Sequence, residues 1–280
     1  MLKNTFHHLP GIGSGTERRI WAARIFDWGD FKEPYPLKWS PGRAAALRKC
    51  LEISQRHLSA GEPAYFTQRL PSHLHWRIFP EFRHMAVYMD IETSGLDRNA
   101  GIITTIALYD GRHVSYYING RNLGDFEQDI QKFKLIVTFN GKNFDIPFIE
   151  KFFGIRLNQA HIDLRYVLAS LGYKGGLKKC EARLGLERGE LAGVDGFFAV
   201  LLWDEYQQNQ NPKALDTLLS YNIQDTVTLE TLMITAYNLK IIETPFSSSH
   251  RIDLPVVPPN PFLPDNETIE RLRRRHAYLF

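Results

Sequence analysis

Asp90 and Glu92 stand two positions apart where an apolar run, Met85–Ile91, comes to its end. That run reads as a strand, and a strand repeats every two residues, so the two carboxylates point to one face. Two acids on one face of a buried sheet are unfavourable unless a cation neutralises them. Asp145 follows a second apolar run, Leu135–Phe139, by way of Asn140-Gly141-Lys142-Asn143-Phe144. It stands where the next helix begins, a place where an acid is also an ordinary cap. Tyr221 and Asp225 are four apart in a helical stretch and therefore share a face. Singly, each site has a plain structural explanation. Jointly, Asp90, Glu92, Asp145 and Asp225 supply the oxygen ligands that hard divalent ions such as Mg²⁺ demand. Two such ions, roughly 3.5–4 Å apart, activate a water and stabilise the leaving oxygen of a phosphodiester. That chemistry needs several acids converging on one point, at least one of them shared by both ions.

The elements that must bring them together form an α/β pattern. After Met85–Ile91 come strands at Ile102–Leu108 and His113–Ile118, joined by a hairpin turn at Asp110-Gly111. A short helix around Leu123–Phe133, the strand Leu135–Phe139, a helix near Ile146–Phe153 and a fifth strand at Ala160–Leu164 follow. The pattern is then helical to about Ile242. Three antiparallel strands followed by alternating strands and helices describe a mixed sheet flanked by helices. Upstream, residues 1–33 carry the turn Gly11-Ile12-Gly13 and a helical pattern over Thr16–Ile25, with Ser14 or Thr16 as its cap. Residues 34–83 form a helical connector, in which Ser40-Pro41 opens an Ala-rich helix. The sheet domain is expected over 84–245. The tail, 246–280, begins with prolines at 255, 258, 259, 261 and 264, and a short basic helix from Glu267 to His276 follows.

Asp90-Ile91-Glu92-Thr93, Asn140 through Asp145, and Tyr221 through Asp225 resemble, in order, the three exonuclease motifs of the DEDD superfamily of 3′–5′ exonucleases. The stretch Tyr88–Leu96, the segment Gly176-Leu177-Lys178 with Arg183-Leu184-Gly185, and Ser220-Tyr221-Asn222 are similar to the RNase-H-like YprB-type family. The resemblance runs from about Trp76 to Lys240. It implies an RNase-H-like fold and Mg²⁺ or Mn²⁺ as a pair of ions. It further implies that Asp90 bridges both ions and that Glu92 and Asp225 complete the first site. Glu92 would also contact the attacking water, while Asp145 acts through water or orients the second site. Tyr221 stands where relatives carry His or Tyr to position the nucleophile, and in YprB-type members His is expected, so this chain departs from them. A histidine near 6.5 takes a proton at neutral pH, whereas a tyrosine near 10 does not. Tyr221 is therefore assigned to orienting water, with proton removal left to metal polarisation.

The resemblance implies hydrolysis of DNA from the 3′ end, in processing or repair, with RNA as the alternative substrate and a helicase as a partner type. A nucleic-acid-binding adaptor without catalysis is a rival from another class. The segment His8–Gly13 with Thr16–Ile25 resembles a helix-hairpin-helix, in which hairpin amides and a helix N-terminus hold a phosphate. On that reading Gly11, Gly13, Arg18 and Arg19 contact nucleic acid, joined by Asn140 and Lys142 beside the acids. Phe139 and Phe144 are either core residues or platforms for a terminal base. His161 and Asp163 read as structural. The net charge of +3 across 280 residues confines any basic surface to a local patch. Cys50 and Cys180 make no metal-binding pair and fit a reducing cytoplasm. No run of apolar residues reaches membrane-spanning length.

Overall fold

Alternation of apolar residues builds the sheet. In the computed structural model, which describes residues 1–33, 35, 37–95, 101–186 and 195–276, β1 (Ala86–Thr93) is the central strand of five. On one side it pairs antiparallel with β2 (Ile103–Tyr109), which pairs antiparallel with β3 (Val114–Ile118). On the other it pairs parallel with β4 (Leu135–Thr138), which pairs parallel with β5 (Ala160–Asp163). The order is β3-β2-β1-β4-β5, the expected mixed sheet. At the hairpin, Gly111 adopts φ +89°, and the Asp110 carboxylate accepts the amides of Arg112 and His113 at 2.8 and 2.7 Å. Leu96, the end of one family-like motif, and residues 187–194 of the helical stretch lie outside the described residues.

Eleven α-helices are described. Before the sheet stand α1 (Ser14–Ala22), α2 (Pro41–Ser59), α3 (Pro63–Thr67) and α4 (Phe79–Phe82). Between and after the strands come α5 (Phe126–Asp129), α6 (Asp145–Phe153), α7 (Leu164–Ala169) and α8 (Leu177–Arg183). The chain continues as α9 (Gly196–Asn209), α10 (Pro212–Ile241) and α11 (Asn266–Arg275). The Ser40 hydroxyl caps α2 through Arg43 N at 3.3 Å, with Pro41 in its first turn. The cap of α1 is Gly13, without a side-chain bond, and Ser14 is already helical.

The two faces of the sheet belong to different cores. Val87, Met89 and Ile91 join Ile106, Leu108, Phe126, Phe148 and Ile149 beneath α5 and α6. Ala86 and Tyr88 join Tyr109, Val137 and Ile162 on the face covered by α10. α10 is buried around most of its circumference, as a helix central to a core must be. The alternation of β1 therefore turns Asp90 and Glu92 toward the α10 side.

Residues 1–33 enter that second core directly. Leu2, Phe6 and Ile20 are fully buried and cluster with Phe79 and Tyr237. Glu17, buried on α1, accepts the amides of Phe6 and His7 and both contacts of the buried Arg77 guanidinium, the latter at 2.7 and 2.8 Å. Ahead of Gly11 there is a single 3-10 turn, Leu2–Asn4, in place of a first helix. Met1, Leu2 and Phe6 are all buried in the core. At the other end α11 docks through Ile269 and Leu272, and Arg271 bonds the buried Glu205 of α9 at 2.7 Å.

Candidate active site

β1 is the point at which the chain departs in opposite directions, to β2 on one side and to β4 on the other. Open sheets place ligand sites beyond the carboxyl ends of the strands at such a point. Asp90 and Glu92 stand at that end of β1, and Asp145, first residue of α6, follows the same end of β4. α10 crosses the same region and carries Tyr221 and Asp225 one turn apart.

The structure brings Asp90, Glu92 and Asp225 together: each offers a carboxylate oxygen, and the three oxygens lie within 4.8 Å of one another. Glu92 and Asp225 are buried at 7% and 5% exposure, while Asp90 is half-buried. Asp145 stands outside that triplet but in the same cleft; it is buried, and the Ile91 amide between the two β1 acids acts on its carboxylate. Burial pushes the Glu92 carboxyl well above its usual range, and the charges of Asp90 and Asp225 push it further; Lys178 opposes them. Burial raises Asp145 to about 7, its own amide and that of Ile91 pull it down, and the Asp163 charge adds to the rise. Crowded, desolvated oxygen donors of one sign are a set that a hard divalent cation fits and that few other ligands do.

All four acids and Tyr221 line one cleft of about 620 Å³. Its walls are largely apolar, with Phe139 and Phe144 at the strand end and Phe197 from α9, which is 46% exposed. Two residues of the family-like segments join this group, neither of them expected as a site residue. Asn222, fully buried, donates from Nδ2 to Asp90 Oδ2 at 2.8 Å and accepts the Thr105 hydroxyl at 3.1 Å. Lys178 of α8 holds its ammonium 4.6 Å from the centre of the Tyr221 ring. Asn222 adjoins Tyr221, but on a helix buried nearly all round no periodicity marks one polar residue as special. Lys178 lies in a family-like segment, and its approach to Tyr221 depends on how α8 packs.

Residues 87–237, just over half the chain, match the RNase H superfamily. The chain belongs to the RNase H superfamily. Among solved structures, a family B DNA polymerase from the hyperthermophilic archaeon Pyrobaculum calidifontis is similar at 16% identity and a TM-score of 0.43. That similarity covers 56% of this chain and 24% of the polymerase, so the chain spans about a quarter of that protein's length. No curated protein matches the sequence. The RNase H superfamily fold is typical of nucleases that use divalent metals, and a carboxylate group able to bind a metal is present.

The remaining residues expected to touch nucleic acid are dispersed in this RNase H superfamily member. Asn140 lines the cleft; its backbone is left-handed at φ +67°, and its side-chain oxygen accepts from Arg165. Lys142 points elsewhere, bonding Ser72 Oγ at 3.3 Å beside a separate cavity of about 210 Å³. Gly11, Gly13, Arg18 and Arg19 are exposed on the N-terminal turn and α1, and none lines the cleft. His161 bonds the Thr138 hydroxyl at 2.8 Å, and burial lowers its pKa to about 3. Among the described residues no helix is long and apolar enough to cross a membrane.

Proposed function

We propose that this protein is a divalent-metal-dependent exonuclease that hydrolyses DNA phosphodiesters from the 3′ end with two Mg²⁺ or Mn²⁺ ions. The observation that carries the reading is the convergence of Asp90, Glu92 and Asp225, from strand and helix 133 to 135 positions apart, in one cleft. Asp90, Glu92 and Asp225 would hold one ion, and Asp90 and Asp145 the other. Bound ions of this kind activate a water and stabilise the charge on the leaving oxygen. Tyr221 orients the nucleophile by hydrogen bonding, and proton removal is left to the metal-bound water. Asn222 holds the Asp90 carboxylate in one orientation. The apolar walls keep bulk water from the reacting phosphate and receive the terminal base by stacking. An adaptor that only binds nucleic acid gains nothing from four acids facing a polyanion, which favours catalysis. The 3′ polarity and the preference for DNA rest on the resemblance carried by the three exonuclease motifs, and the YprB-type affiliation on Tyr88–Leu96, Gly176-Leu177-Lys178 with Arg183-Leu184-Gly185, and Ser220-Tyr221-Asn222.

The test is a time course on 5′-labelled single-stranded, duplex and overhang DNA, and on matched RNA, with Mg²⁺, Mn²⁺ or EDTA. Ladders shortening from the 3′ end, abolished by EDTA, are expected. Faster turnover of RNA than of DNA would reassign the substrate. Absence of metal-dependent cleavage of either would refute the enzyme reading.

A further inference from the structure

Asp163 ends β5 beside Thr138, the last residue of β4. Its carboxylate is buried and accepts three backbone amides: Oδ1 takes Asn140 at 2.8 Å and Arg165 at 3.0 Å, and Oδ2 takes Lys142 at 3.1 Å. The bond to Arg165 caps α7 and needs no other explanation. The other two belong to a different element, the turn that joins β4 to α6.

That turn has a defined geometry. Asn140 is left-handed at φ +67°, a region few residues other than glycine enter and which asparagine tolerates best. Gly141 lies against Thr138, where a Cβ would stand 2.3 Å from the threonine hydroxyl, and its amide donates to that hydroxyl at 3.0 Å. The carbonyls of Asn140 and Gly141 then accept the amides of Phe144 and Ile146 at 3.2 and 2.9 Å, which starts α6 at Asp145. A continuous series of bonds thus leads from Asp163 through the turn to the acid that borders the metal-binding triplet.

We propose that Asp163 is a positioning residue for the active site: its carboxylate clamps the 140–142 turn and so delivers Asp145 and Asn140 to the cleft. The inference rests on the metal-dependent reading of that cleft. An ionised carboxylate only accepts, so it satisfies all three amides together. Asparagine, of the same size, must aim an NH₂ group at one of them.

The experiment compares wild type with Asp163→Asn and Thr138→Val, which keeps the side-chain volume and removes the second anchor of the turn. Amide hydrogen exchange over residues 138–146 is measured on metal-free protein, Mn²⁺ binding by calorimetry, and kcat and KM on a single-stranded oligonucleotide. Asp163→Asn is expected to speed exchange in the turn, weaken Mn²⁺ binding about tenfold to a hundredfold, and lower kcat with little change in KM. Thr138→Val is expected to weaken Mn²⁺ binding in the same direction, by about threefold. A folded Asp163→Asn protein with wild-type exchange and wild-type Mn²⁺ affinity would overturn the proposal. If Asp163→Asn does not fold, Thr138→Val decides, and unchanged Mn²⁺ affinity overturns it. A wild type that binds Mn²⁺ yet cleaves no nucleic acid sinks the exonuclease reading alone, and the Mn²⁺ comparison still judges Asp163. Failure of the wild type to bind Mn²⁺ overturns both.

Discussion

Asn222 donates to Asp90 across 2.8 Å and 132 positions of sequence, tying α10 to the end of β1 at the acid cluster. Removing this partner takes away one of the bonds that orient Asp90 and strands the Thr105 hydroxyl. Asn222→Ala is expected to weaken Mn²⁺ binding by about tenfold, because groups that orient a ligand typically contribute tenfold to a hundredfold in affinity or activity. Calorimetric titration with Mn²⁺ reads the effect, and unchanged affinity would show the bond to be structural only.

The proposed roles separate Asp90 from Tyr221. Asp90→Asn removes a charge from the triplet and should lower the cleavage rate by roughly a thousandfold or more. Tyr221→Phe removes one hydrogen bond and should leave activity within about tenfold of wild type. Single-turnover rates decide the matter, and equal, complete loss in both would contradict the division.

The acid cluster burdens the metal-free protein. Glu92 has a folded pKa raised above its unfolded value, so the stability it contributes is full below pH 4 to 5 and is lost as pH rises through the folded value. Asp145, raised to about 7, follows the same course between about pH 4 and 7. At pH 8 without metal, Glu92→Gln should therefore be more stable than wild type, by on the order of 1–2 kcal/mol. Mn²⁺ should raise the Tm of wild type and barely move that of the variant. Thermal unfolding with and without Mn²⁺ gives both quantities.

His8 and His161 act in the opposite sense. Burial lowers each to about 3, so the unfolded chain binds more protons between pH 6.5 and 3. Their contribution is complete above pH 6.5 and is lost as pH falls toward 3, at about 1.4 kcal/mol per pH unit for each residue. His161→Gln should flatten the pH dependence of the unfolding free energy in that window by about one proton. Urea unfolding at pH 7 and pH 5 measures it.

Deleting residues 1–30 is expected to destabilise the whole protein by several kcal/mol, since Phe6, Ile20 and the Glu17 carboxylate that pairs with Arg77 leave the core with them. The nucleic-acid role proposed for this segment is better read with Arg18→Glu and Arg19→Glu, both exposed. Together they should lower affinity several-fold at low salt, with a shallower salt dependence and an unchanged Tm. Wild-type affinity and salt slope would assign these arginines to solvent.

What periodicity dictates was legible in the residues themselves. The two-residue repeat placed Asp90 and Glu92 on one face, and the four-residue spacing paired Tyr221 with Asp225. The strand ends were located to within two residues, because each is a local pattern of apolar side chains punctuated by turn residues. The family-like motifs named the acids for the same reason: they are short and contiguous. Packing alone decided that the face of β1 bearing Asp90 and Glu92 is the one α10 covers, and that Asp145 lines the same cleft. The partners of Asn222 and of Asp163 were equally hidden. One bonds a carboxylate 132 positions away and the other bonds backbone amides, which every residue carries, so neither leaves a mark on residue type or spacing. The N-terminal segment makes the same point: its glycine turn is visible locally, while its burial against Phe79 and Tyr237 arises only when distant parts of the chain exclude water together.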